Sequence, residues 1–224
     1  MSPRARSGTA KRATAKRASR ATAAPRRARA SGGAIEIVAV TPDRWPQLVT
    51  LFGPRGACAG CWCQWVRLPS AEYRAGRAQN RAKLRRLVQS GEPPGLIAIA
   101  DGVPVGWAAV APRAAFRRLD TSRVMAPVDD QPVWSVPCFF IAASHRRRGL
   151  TVKLLRAACA HAASRGARIV EGYPIDPHGA AMTPTFAWHG LVGAFRAAGF
   201  REVARRSASR PVMRRAVRPA RTSA

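Results

Sequence analysis

Acidic residues are scarce: 11 Asp and Glu stand against 39 Lys and Arg in 224 residues, a formal net charge of +28. So few carboxylates make a polycationic partner a poor match, and the field favours polyanions: nucleic acid, an anionic membrane, or a small multiply charged ligand. Residues 1–33 hold ten of the basic side chains and no acid, yet the remainder still carries a surplus of 18. The excess therefore belongs to the main body of the chain as well as to its start. Long hydrophobic runs are missing too, none approaching the ~18 apolar residues that cross a bilayer, so a soluble protein with no membrane partner is expected. Cysteines number five, an odd count, and no secretory apolar segment is evident. Reduced thiols in a cytoplasmic protein are the expectation.

What is present is an apolar fraction of 47%, enough for one α/β domain with tails. Residues 1–33 are Arg, Lys, Ala, Ser and Thr with almost no bulky apolar side chain, and are expected to be a disordered basic tail. That tail reads first as a dispensable extension or an overcalled start, next as a polyanion-binding arm for nonspecific nucleic acid, and then as an organelle-targeting segment. The domain is expected over 34–217, with a short disordered tail at 218–224.

Ala34 to Val40 alternates as a first strand. Thr41, Pro42 and Asp43 open a short helix ending near Phe52. Ser70 is placed to cap a second helix to Gln89, its arginines at 74, 77, 81, 85 and 86 solvated and Leu84, Leu87 and Val88 inward. Gly95–Ala100 and Val105–Ala111 read as strands joined at Asp101-Gly102, a hairpin signal. One helical turn is expected at Ala114–Leu119. Further on, Thr185 is placed to cap a last helix over Phe186–Phe200, and Arg201–Ser207 with Pro211–Val217 reads as a closing pair of strands.

The stretch from Val133 to Ala163 organises the rest. Val133–Ala142 is apolar without clean alternation, as in a strand covered on both faces. From Leu150 the apolar positions take helical spacing, with Leu150, Leu154, Ala158 and Ala162 on one side. Between them lies Arg146-Arg147-Arg148-Gly149-Leu150-Thr151, a basic glycine turn at a helix N-terminus, suited to a phosphate group. Pro137 falls inside the strand, where it removes a ladder hydrogen bond and implies a bulge or a local separation.

This strand, turn and helix resemble the central motif of the GNAT superfamily, the acetyl-CoA-dependent N-acetyltransferases, whose turn commonly reads Arg/Gln-x-x-Gly-x-Gly/Ala. Arg146 and Gly149 match; Thr151 departs. Ala197-Ala-Gly-Phe200 is similar to the aromatic-x-x-x-Gly-Phe ending of that superfamily's last helix. The resemblance implies a mixed α/β fold, mainly antiparallel, with a splayed central strand pair flanked by helices. It also implies an N-acetyltransferase moving an acetyl group from acetyl-CoA to an amine of a small molecule or peptide, by direct transfer.

On that resemblance the turn Arg146, Arg147, Arg148, Gly149, Leu150 and Thr151 holds pyrophosphate, and the backbone of Phe139, Phe140 and Ile141 pairs with the pantetheine arm. Glu171 is the nearest carboxylate for a general base and Tyr173 for a general acid, because Phe195 stands where a tyrosine is frequent. Each has a plain alternative: Glu171 as an arginine's partner, Tyr173 as a packed ring. Asp129 and Asp130 border the same region or form a polar loop. His145 is assigned to positioning and His189 to a helix face.

Cys58, Cys61 and Cys63 with Trp62 and Trp65 form the least ordinary segment. Three thiolates for zinc are conceivable but no fourth ligand has a familiar spacing. An aromatic, thiol-lined loop over the acceptor pocket is preferred, with no metal, and Cys138 and Cys159 are read as small core residues. The competing function is a nucleic-acid-binding protein on a degenerate acyltransferase fold, favoured by charge but lacking the interleaved aromatics of a base-stacking platform.

Overall fold

The computed structural model describes residues 34–179 and 187–219. The disorder expected over 1–33, the cap expected at Thr185 and most of the tail expected over 218–224 lie outside the described residues. In chain order the elements are β1 (Ile35–Ala39), α1 (Trp45–Phe52), α2 (Ser70–Tyr73), α3 (Arg77–Gln89), β2 (Gly95–Ala100) and β3 (Val103–Pro112). They continue with β4 (Trp134–Ile141), α4 (Leu150–Ser164), β5 (Ile169–Gly172), α5 (Val192–Ala197), β6 (Arg201–Arg205) and β7 (Pro211–Ala216). The strands form one sheet in the order β1-β2-β3-β4-β5-β7-β6. Among the described strands, β4 and β5 run parallel and every other pair is antiparallel.

Both faces of the sheet are covered, which explains the unbroken apolar runs in its middle strands. Along β2, Leu96, Ala98 and Ala100 face Leu150, Leu154 and Ala158 of α4, whereas Ile97 and Ile99 face Leu48, Phe52, Leu84 and Val88 of α1 and α3. Trp107 of β3 is fully buried on the second face, edge-on to Phe52.

Its ring also fixes the residue beside it. A Cβ added at Gly95 would lie 2.2 Å from the Ala108 carbonyl oxygen and 2.6 Å from the Trp107 ring, neither of which can swing away. Gly95→Ala is therefore expected to lower stability by about 3 kcal/mol, as overpacking of a filled core does. Thermal melting checks it, and an unchanged midpoint would show that β2 and β3 separate freely.

Four local expectations change. The helix expected over 70–89 is two, because Gly76 at φ +111° breaks it and its carbonyl starts α3 by accepting from Asn80. The Thr41 hydroxyl donates to the Asp43 carboxylate at 2.5 Å instead of capping, and a 3-10 turn over Pro42–Arg44 leads into α1. The turn expected at Ala114–Leu119 is a 3-10 turn over Arg113–Ala115. The last helix begins at Val192, since Leu191 is extended and bridges Ile175 in parallel. A helical apolar pattern also suits a segment that threads through the core before it coils.

Candidate active site

Pro137 is where the geometry of the site begins. Ala109 of β3 pairs with Cys138 and Ala111 with Ser135, so three steps along β4 oppose two along β3. The extra residue is a bulge, and it reverses the alternation of side chains. Val136 packs with the α4 face, and after the bulge Cys138 turns to the α1 face while Phe139 turns to the α4 face. Pairing between β4 and β5 stops at Val136–Gly172. From Pro137 to Ile141 that edge of β4 has no strand alongside it among the described residues.

A short segment wedges the two strands apart. His189 of the 3-10 turn Ala187–His189 is buried, and its Nδ1 lies 2.7 Å from the Pro137 carbonyl oxygen, so Nδ1 carries the hydrogen. One residue on, the Gly190 carbonyl accepts from the Ile175 N–H at 2.9 Å. The segment is thus bonded to β4 on one side and to the chain just past β5 on the other. Burial, then the charge of Arg210, pulls the His189 pKa down to about 3, which keeps the ring neutral. Helical patterning placed His189 on a helix face; the structure places it in the cleft, a position only the extended Leu191 reveals.

At the far end of β4 lies the basic turn. Gly149 takes φ +72° as the N-cap of α4, with open space where a Cβ would stand. Among the described residues no acceptor takes the N–H groups of Arg147 through Thr151. Arg146, Arg147 and Arg148 are exposed, and Arg146 Nε donates to the Ile141 carbonyl at 3.1 Å. Free N–H groups, the positive end of a 15-residue helix and three guanidinium groups suit a diphosphate. Thr151, which departs from the Gly or Ala common at that position, is partly buried beside this open surface.

Glu171 and Tyr173 come together below the cleft. Glu171 is fully buried; its Oε1 accepts from Arg113 Nη1 at 3.1 Å and from the Tyr173 hydroxyl at 2.6 Å, its Oε2 from Arg214 Nε at 2.7 Å. Ser135 Oγ lies 3.0 Å from the same hydroxyl, and Arg113 donates to it at 2.6 Å. Arg214 continues to Asp129 at 2.7 and 3.0 Å. Burial, then the Glu171 charge, pushes the Tyr173 pKa well up, so the phenol holds its proton. Asp129 belongs to this network; its neighbour Asp130 has no bond among the described residues.

Over the α1 face sits the cysteine loop. Trp62 is buried, stacked on Trp45 and edge-on to Phe52, so it is core. Trp65 is the loop's exposed aromatic at 38%, set among Tyr73, Trp188 and the Arg118 guanidinium 3.8 Å above its ring. Trp188 stacks on His189, so this aromatic surface runs from solvent to the cleft. Cys58 is exposed, Cys61 half-buried, and Cys63 and Cys138 meet in the interior. No group of three or more His, Cys, Asp or Glu converges on a metal position among the described residues. Cys159 packs in α4 as a small core residue.

A bulged strand parted from its parallel neighbour, and leading into an anion-ready helix start, defines an acyl-CoA-binding domain. The family model for the acetyltransferase (GNAT) family matches residues 62–182, more than half of the chain, and the chain belongs to that family. It is an acetyltransferase, and its acetyl donor is acetyl-CoA. Solved structures with a similar fold include a GNAT-family acetyltransferase from Streptococcus agalactiae, at 13% identity over 81% of this chain and 95% of that one, with a TM-score of 0.49. A ribosomal-protein-alanine N-acetyltransferase from Brucella melitensis is similar at 15% identity, 81% and 99% coverage and a TM-score of 0.47. An aminoglycoside N-acetyltransferase in complex with CoA is similar at 20% identity, 78% and 93% coverage and a TM-score of 0.49. No curated protein matches the chain.

Proposed function

We propose that this chain transfers the acetyl group of acetyl-CoA directly to the amine of a small molecule or peptide, with both bound at once in the domain spanning 34–217. The observation that carries this reading is the edge of β4 from Pro137 to Ile141, beside which no described strand pairs, leading straight to N–H groups at the head of α4 that have no acceptor among the described residues. Acetyl-CoA supplies an activated acyl group with a thiolate leaving group. The backbone of Phe139, Phe140 and Ile141 would hold the pantetheine arm, and Arg146 to Thr151 the pyrophosphate. The amine would enter on the α1 face, past Trp65 and Trp188. With Arg118 at that entrance and only 11 acidic residues in the chain, neutral or anionic amines suit the site better than polyamines. A cytoplasmic setting is proposed on the five free thiols and on the fact that no described helix is long and apolar enough to cross a membrane.

Glu171 and Tyr173 enter as one proton-holding unit. The Tyr173 hydroxyl would supply the proton for the departing thiolate, and Glu171 with Arg113 would fix its orientation. Tyr173→Phe is expected to lower kcat about a hundredfold with KM for acetyl-CoA unchanged. A loss of melting temperature with unchanged kcat would reduce the pair to a strut and leave the proton to solvent.

Melting the full chain with acetyl-CoA, at moderate and high salt, tests the reading as a whole. A salt-resistant stabilisation by acetyl-CoA that neither ATP nor a short oligonucleotide reproduces is expected. Equal stabilisation by all three polyanions, erased by salt, would favour nucleic acid as the partner.

A further inference from the structure

Arg67 is buried, with 6% of its surface exposed, and forms no ion pair with a carboxylate among the described residues. Its Nη2 donates to the Pro94 carbonyl at 2.8 Å and its guanidinium lies 4.4 Å over the Phe116 ring, but its Nε is buried without a partner. A buried cation requires an opposite charge nearby, or it destabilises the fold by several kcal/mol. The group that can carry that charge is Cys63. Its sulfur accepts from the Trp107 indole N–H at 2.9 Å and lies 3.0 Å from the Cys138 sulfur, and only 1% of the residue is exposed. With Cys63 ionised, the Cys138 S–H can turn and donate to it, so the anion is held by the Trp107 N–H and the Cys138 S–H together. Burial works against a thiolate there, and the bonds from Cys138 and Trp107 together with the Arg67 charge outweigh it.

We propose that Cys63 is a resident thiolate paired with Arg67, and that Cys63 and Cys138 form an oxidisable dithiol whose co-reactant is hydrogen peroxide. The thiolate attacks one peroxide oxygen; an S–O bond forms, the O–O bond breaks and hydroxide leaves, so sulfur is oxidised and oxygen reduced. Cys138 then attacks the Cys63 sulfur: the S–S bond forms, the S–O bond breaks, and the Cys138 proton leaves with the hydroxyl as water. The sulfur atoms already stand 3.0 Å apart, against about 2.05 Å for a disulfide. A dithiol reductant reverses the change. Cys138 is 8% exposed against 1% for Cys63, so a reagent reaches the pair from the Cys138 side, and a molecule near the size of water suits that approach better than a bulky one. Oxidation also removes the anion that Arg67 faces, so the disulfide form is expected to melt at lower temperature despite its crosslink. None of this depends on the acetyl-transfer reading.

The reduced full-length protein, freed of reductant, is treated with hydrogen peroxide, unfolded, alkylated and analysed by peptide mass spectrometry. Two of the five thiols are expected to disappear, with the Cys63 and Cys138 peptides joined, and both return with dithiothreitol. Arg67→Met should slow the reaction about tenfold at neutral pH by raising the thiol pKa. Cys138→Ala should stop it at a Cys63 sulfenic acid that dimedone traps when it is present as the protein is unfolded, which keeps the test decisive if Arg67→Met does not fold. The proposal is overturned if Cys63 and Cys138 both stay alkylatable at a peroxide dose that oxidises exposed Cys58. It is equally overturned if folded Arg67→Met reacts at the wild-type rate, or if dimedone finds nothing on Cys63.

Discussion

Glu171→Ala is expected to destabilise the protein by about 3–5 kcal/mol, the range for breaking a buried ion pair from one side. The carboxylate is fully buried between Arg113 and Arg214, whose side chains are only 12% and 10% exposed. Its removal strands two guanidiniums and the Tyr173 hydroxyl, in a place where Arg113 Nε already lacks a partner. Asp129 can retain Arg214, and the Met125 carbonyl holds Arg113 Nη2 at 2.9 Å, which limits the loss. Glu171→Gln keeps an acceptor but not the charge and should fall between the two. Denaturant unfolding measures both; an alanine variant within about 1 kcal/mol of wild type would mean the network is solvated in solution. The consequence for function is mechanical. The network joins the end of β3 to β4, β5 and β7 just below the last paired position of β4 and β5, so the strands are pinned there and part only above it.

Much of this architecture was legible in the residues, for identifiable reasons. The hairpin at Asp101-Gly102, the buried strand over Trp134–Ile141 and the helix from Leu150 each rest on local patterning, which one segment carries alone. Pro137 announced its bulge because a missing N–H is a property of the residue itself. What the bulge does was not legible: the reversal that turns Cys138 toward the α1 face follows from counting residues on two strands at once. The partners of Glu171 stand 58 residues before it and 43 after it, and among so many arginines no spacing singles out Arg113 and Arg214. Nor did the pattern around Phe186–Phe200 separate a helix from an extended wedge, since Leu191, Val192 and Phe195 are inward in either. Arg67 was the neglected signal. An arginine four residues past Cys63, in a loop otherwise apolar and aromatic, is a charge in need of a partner.

Arg146→Ala combined with Arg148→Ala is expected to weaken acetyl-CoA binding about ten- to a hundredfold by calorimetry. Hydrogen bonds to charged groups contribute roughly 1.5–3 kcal/mol each, and both side chains are exposed, which reduces that through solvent screening. Arg146 should matter more, because its bond to the Ile141 carbonyl already holds it over the end of β4, whereas Arg148 has no side-chain hydrogen bond among the described residues. Unchanged affinity would remove the turn as the pyrophosphate site. Gly149→Val tests the other half of the same site. A β-branched residue at φ +72° costs about 1–2 kcal/mol in its own backbone, and relief of that strain turns the free N–H groups away from a common centre. The two variants should separate on salt. A loss due to missing charge shrinks as ionic strength rises, because the wild-type advantage is itself screened. A loss due to misdirected N–H groups persists, because short hydrogen bonds at a helix terminus depend on direction as well as on field. Equal salt dependence in both would mean that the turn acts through charge alone, and that the backbone conformation imposed by Gly149 serves the fold rather than the ligand.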